Sequence, residues 1–75
     1  MSRAHDIAIK VTQEFLKRGK PFTYAQLKEE ILGRGGILRT APNYPLPDYL
    51  ETLVYNRKLE KKGLYYVPAT TTARG

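Results

Sequence analysis

The chain has 75 residues, and its 13 Lys and Arg against 7 Asp and Glu give a formal net charge of +6. A chain this short forms one domain and buries roughly 60–65% of the surface its unfolded form exposes, so its core is small. It has no cysteine, which excludes disulfides and cysteine-ligated zinc, and no apolar run near the ~20 residues that a membrane-spanning helix needs.

The opening "MSRAHDIAIK" lacks the uninterrupted apolar segment of a signal peptide, so a cytoplasmic protein is expected. From there Ala4, Ile7, Ala8, Val11 and Phe15 recur at spacings of three and four, which predicts a helix over Arg3–Arg18 with one apolar face. Ser2 is placed to cap its start. Lys17 and Arg18 suit its last turn, and Gly19 supplies the stop. Pro21-Phe22 reads as a short extended segment. Thr23 followed by Gln26 makes a capping box, with Phe22 and Leu27 as the accompanying hydrophobic staple. The second helix therefore starts at Thr23, carries Tyr24, Leu27 and Ile31 on its apolar stripe, and ends at Gly33.

Residues 33–46, "GRGGILRTAPNYPL", read as an irregular loop, long for so small a domain, in which Ile37-Leu38 docks as a strand or plug. Pro47 suits the first turn of a third helix. Leu50, Leu53 and Val54 form its core face, and Leu59 falls off that face, so the helix stops near Asn56 or Arg57. The remaining "KLEK" and "LYYV" predict a β-hairpin with Lys62-Gly63 as the two-residue turn. That pairing sets Lys61 against Leu64, Glu60 against Tyr65 and Leu59 against Tyr66. One face carries Leu59, Leu64 and Tyr66, the other Tyr65 and Val67, and alternation does not decide which packs inward. The expected fold is α+β, mainly α, with three helices and a C-terminal hairpin over residues 1–68, followed by a disordered polar tail over 69–75.

The string "KPFTYAQLKEEILGRG … LPDYLETLVYNRKLEKKGLYYVP" resembles small winged-helix domains, a helix-turn-helix variant that includes the HARE-HTH type. Lys20-Pro21, the "YAQLKEEI" helix, Leu50 and Leu53, and Gly63 followed by Tyr65 and Val67 carry the resemblance, which spans about residues 5 to 68. It implies the winged-helix fold and binding of duplex DNA through the third helix and the hairpin. One departure is the joint between the second and third helices, which a helix-turn-helix makes with three or four residues.

Catalytic chemistry has little to draw on. His5 is the sole histidine and Ser2 the sole serine, and no nucleophile, base and orienting group come together, so no enzyme is expected. His5 and Asp6 point apart on a helix and no second cluster completes a metal site, so neither metal nor cofactor is expected. Phosphate-cradling glycine loops follow a strand and lead into a helix, whereas "GRGG" follows a helix, as a C-cap does. Arg34 and Arg39 stand out as possible phosphate contacts from that loop.

Opposite its core face the third helix presents Asp48, Thr52, Tyr55 and Asn56, with Glu51 at the margin. Thr52 and Asn56 suit base edges and Tyr55 suits backbone contact or stacking, while the two acids repel phosphates. Lys17, Arg18 and Lys20 form one basic cluster. Arg57, Lys58, Lys61 and Lys62 form another if the hairpin folds beside the third helix, and would grip phosphates from a wing. The competing reading is that lysines sit at hairpin tips to keep an edge strand soluble. The six tyrosines serve either base stacking or the core, with Tyr24 and one of Tyr65 or Tyr66 expected in the core. The expected partner is double-stranded DNA, contacted by Arg39, Thr52, Tyr55, Asn56, Arg57, Lys58, Lys61 and Lys62, with a homodimer as one way to gain specificity. The alternatives are a protein-binding module of the same fold and, less favoured, an RNA binder.

Overall fold

A computed structural model describes residues 3–69. Ser2 and the tail from residue 70 onward lie outside the described residues, and with them the expected first cap and most of the expected tail.

The first helix, α1, spans Arg3–Arg18 and buries Ala8, Val11, Thr12 and Phe15. Thr12 is tolerated in this core because its hydroxyl donates to the Ala8 carbonyl at 2.8 Å. A two-residue strand, β1 (Phe22–Thr23), leads directly into α2 (Tyr24–Gly33). The capping box forms as expected. Gln26 N–H donates to the Thr23 hydroxyl at 3.1 Å, and Thr23 N–H donates to the Gln26 side-chain carbonyl at 3.0 Å.

Gly33 is the last helical residue of α2, but the residue that turns the chain is Gly35, with φ of 85°. Its N–H donates to the Leu32 carbonyl at 3.1 Å and that of Gly36 to the Ile31 carbonyl at 2.9 Å. This pair of bonds is the Schellman motif.

The stretch expected to be an irregular loop contains a small antiparallel ribbon, β2 (Arg39–Ala41) with β3 (Tyr44–Pro45). Two strands of three and two residues are too short to show alternation in sequence. The ribbon is held by tertiary contacts instead: Leu46 N–H donates to the Leu38 carbonyl at 3.0 Å, Thr40 is buried, and β2 packs on α1 and α3. Leu38 packs against the core without forming a strand itself.

Helix α3 (Leu46–Tyr55) begins one residue before Pro47 and buries Leu46, Leu50 and Leu53, with Val54 half-buried. Asn56 caps its C-terminus. Strands β4 (Leu59–Lys62) and β5 (Tyr65–Pro68) then form the expected hairpin, and β1 joins it to give an antiparallel sheet in the order β1-β5-β4.

The hairpin register differs from the expected one. Leu59 pairs with Pro68, Glu60 with Val67, Lys61 with Tyr66 and Lys62 with Tyr65, so the turn is Gly63-Leu64. Gly63 has φ of 61° and occupies the first turn position, as in a type II′ hairpin, rather than the second. The shift is even, so Leu59 and Tyr66 stay on one face and Tyr65 and Val67 on the other. Leu64 leaves the sheet altogether and stands at the tip, 81% exposed. The ladder also outlasts Pro68, since Ala69 N–H donates to the Lys58 carbonyl at 3.1 Å.

The core gathers Phe15 of α1, Phe22 of β1, Leu27 and Ile31 of α2, Leu50 and Leu53 of α3, and Leu59 of β4 around the fully buried Ala8 and Val11. Phe15 meets Phe22 edge-on, with centroids 5.1 Å apart, and Phe22 stacks on Tyr66 at 5.8 Å. Tyr24 and Tyr66 are half-buried against this cluster, and Tyr65 is half-exposed. Among the described residues no helix is long and apolar enough to cross a membrane.

Candidate nucleic-acid interface

The outward side of α3 is acidic at its start and aromatic at its end. Asp48, Glu51, Tyr55 and Asn56 are exposed, Tyr55 by 87%. Thr52, expected to be free for base contact, is half-buried and already engaged. Its hydroxyl donates to the Asp48 carbonyl at 3.0 Å and is hydrogen-bonded to the Tyr44 hydroxyl. Tyr44 in turn packs edge-on against Tyr49, with centroids 6.2 Å apart, so the ribbon buttresses the helix. Burial pushes the Tyr49 phenol above its ordinary pKa, and the neighbouring Tyr44 adds to this while a hydrogen bond from Gln13 opposes it. Of the α3 candidates, Tyr55 and Asn56 are exposed, and Thr52 is half-buried and hydrogen-bonded within the fold.

Positive charge begins where α3 ends. Arg57 and Lys58 are exposed, and a hollow lined by Val54, Arg57, Leu59, Glu60 and Ala69 lies between the helix end and the first residues of β4. The hairpin thus lies beside α3, as the patch requires. Strand alternation then divides the two tip lysines. Lys61 shares a face with Leu59 and Tyr66, and its ammonium sits 5.2 Å from the Tyr66 ring centroid. Lys62 lies on the opposite face beside Glu60, at 3.9 Å, with both side chains largely exposed. A contact this long and this wet contributes little to stability and leaves the lysine free to exchange partners.

Two further basic residues have different settings. Arg39 is exposed on β2, the strand that packs on α1 and α3. Arg34 is committed to the fold: it bonds Glu14 of α1 at 2.9 Å and Glu30 of its own helix at 2.8 Å. The guanidinium that the sequence offers as a candidate phosphate contact is thus already engaged by two carboxylates. Its hydrogen bond holds the Glu14 carboxyl below the ordinary carboxylate range, and the two glutamates hold the guanidinium above its own. Nothing local in the sequence signals the Arg34–Glu14 pair, which joins residues far apart in the chain.

An aromatic chain that the sequence does not reveal has a cation at each end. Arg18 lies over Phe15 at 4.8 Å, Phe15 meets Phe22, Phe22 stacks on Tyr66, and Lys61 closes the far end. Lys20 lines the hollow beside Phe15 and Phe22, but Glu29 and Glu30 line it too, so this face is mixed in charge. His5 is half-buried, with its Nε2 enclosed and without a hydrogen-bond partner among the described residues. Among those residues no group of three or more His, Cys, Asp or Glu gathers where it could hold a metal ion.

The α3–hairpin junction thus carries Tyr55, Asn56, Arg57 and Lys58, and β4 continues from it to Lys61 and Lys62 on opposite faces. Comparison with protein-family models, with curated proteins and with solved structures yields no match for this chain.

Proposed function

We propose that this protein is a non-enzymatic, cytoplasmic winged-helix module that binds duplex DNA mainly through its phosphates. The observation that carries the reading is the run from Arg57 to Lys62, which holds four cations and one carboxylate at the junction of α3 and the hairpin. Among the described residues only Lys62 of these four has an ion-pair partner, and that one is long and exposed. The three helices and the β1-β5-β4 sheet fit the winged-helix resemblance, with the hairpin as the wing. The separation of Lys61 and Lys62 onto opposite faces suits a ribbon that enters a groove edge-on, one lysine toward each flanking phosphate row. The acidic start of α3 argues for phosphate grip at its C-terminal end rather than base reading along its length.

The test is binding of a random-sequence duplex followed by fluorescence anisotropy across a salt series. Four neutralised phosphates give a slope of log K against log salt of about −3.6, and Lys61→Ala with Lys62→Ala brings it to about −1.8. Absence of binding in the micromolar range at low salt refutes the proposal.

One observation favours a second reading, a protein-binding module. The 87%-exposed Tyr55 lies with Tyr44, Asp48 and Glu51 around an open hollow on α3, an acidic and aromatic surface unsuited to phosphate. A basic peptide partner would seat there. Under this reading Tyr55→Ala abolishes partner capture, and the hairpin lysines are dispensable.

A further inference from the structure

Four described residues adopt positive φ: Gly19 at 71°, Gly35 at 85°, Gly63 at 61°, and Arg57 at 63°. Three of the four are glycine, which takes this conformation without steric cost. Arg57 is the exception, and the reason the backbone needs it there is plain. Its N–H donates to the Val54 carbonyl at 3.0 Å and that of Lys58 to the Leu53 carbonyl at 2.8 Å. These bonds repeat, at the end of α3, the Schellman motif that Gly35 and Gly36 make at the end of α2. The same chain thus solves the same problem twice, once with glycine and once with arginine.

Among the described residues the arginine side chain lines the hollow between α3 and β4 but makes no hydrogen bond there. It is exposed, and no carboxylate pairs with its guanidinium among the described residues. A cation is welcome at the negative end of a helix dipole, but Lys58 supplies one at the adjacent position without adopting a left-handed backbone. Residues held in sparsely populated backbone regions cluster at functional sites, and Arg57 adds to its left-handed backbone a charge without an ion-pair partner among the described residues.

We infer that Arg57 is the principal phosphate anchor of this protein, kept in the left-handed conformation at a cost to stability. The inference rests on the DNA reading and narrows it. Two backbone hydrogen bonds fix the point from which the guanidinium leaves the chain, so less freedom is lost when its planar fork meets a phosphate in two-pronged fashion. The wing lysines, on flexible stems and with an ion pair or a ring beside them, act as secondary contacts.

The experiment compares the full chain with Arg57→Gly, Arg57→Lys and Lys58→Ala, reading Tm in the absence of DNA and duplex binding across salt. Arg57→Gly is expected to raise Tm by about 4 °C. The same variant is expected to lose about tenfold in affinity at low salt, with a slope shallower by about one. Arg57→Lys keeps the strain and the charge, so it is expected to hold the parent Tm and slope yet bind several-fold more weakly. Lys58→Ala is expected to lose less affinity than Arg57→Gly. Parent-strength binding by Arg57→Gly overturns the inference while leaving the DNA reading intact, as does a larger loss from Lys58→Ala. A parent protein that does not bind duplex overturns both.

Discussion

Gly36→Ala is a substitution whose sign follows directly from the geometry where α2 meets α1. A Cβ built at Gly36 lies 2.8 Å from the Cγ2 atoms of both Ile31 and Ile7 and 3.1 Å from the Ile31 carbonyl oxygen. Carbon atoms in comfortable contact sit roughly 3.5–4.0 Å apart, so the added methyl overlaps two neighbours at once. Neither methyl can swing aside, because Cγ2 is attached at the branched β-carbon and moves only with χ1. Ile31 is fully buried, and the third neighbour is backbone. The helices must separate or an isoleucine must leave its rotamer, at about 1–3 kcal/mol for overpacking of this kind. Gly36 does not have positive φ, so alanine also restricts the unfolded chain and returns about 0.5–1 kcal/mol. The net loss is about 1–2 kcal/mol, and for a domain of this size Tm falls by about 10 °C. Gly33→Ala is the control. It lies in the same helix end, meets nothing within 4 Å, and should gain about 0.5–1 kcal/mol from helix propensity. Urea titrations followed by circular dichroism read both, with an unchanged m-value showing that unfolding exposes the same surface. A Gly36→Ala midpoint at or above that of the parent refutes the packing account.

Three further outcomes follow from the same structure. Arg34 depresses the folded-state pKa of Glu14, so this pair supports the fold above the unfolded carboxylate pKa and is lost as pH falls through the folded value. Glu14→Gln should therefore lower the urea midpoint at neutral pH, and the gap to the parent should close in acid. Thr23→Ala removes the side-chain half of the capping box and should cost about 1 kcal/mol, measured by thermal denaturation. The hairpin register makes its own test: Leu64→Ser at the exposed tip should change stability by less than about 0.5 kcal/mol, whereas Leu59→Ala in the core should cost about 2–5 kcal/mol. A large loss from Leu64→Ser would place that side chain back in the sheet.

Local signals carried much of the fold. The bounds of α1, the Thr23 cap and the end of α3 near Asn56 were legible because each rests on residues within a few positions of one another. The hairpin was legible as a hairpin, but a single glycine serves either position of a two-residue turn. What selects Gly63-Leu64 is distant: Leu59 against Pro68, and Phe22 and Thr23 against Tyr66 and Tyr65. The β2–β3 ribbon escaped notice because its strands depend on α1 and α3 for support. At the candidate site, the cluster of basic residues could be read from spacing. That Thr52 is occupied by Tyr44, that Lys61 and Lys62 face apart, and that Arg57 is left-handed all depend on three-dimensional pairing.

Thr23 holds two offices at once. It is the last residue of β1, paired with Tyr65, and the N-cap of α2, bonded to Gln26. The strand that ties the hairpin to the body of the protein and the hydrogen bonds that launch α2 therefore share one residue, with no linker between them. A load applied to the hairpin by a ligand has no slack to absorb it before it reaches the first turn of α2. The amides of the β1–β5 ladder and that of Gln26 should open to solvent exchange as one cooperative unit, and anything that clamps the hairpin should quiet the start of α2 in the same measure.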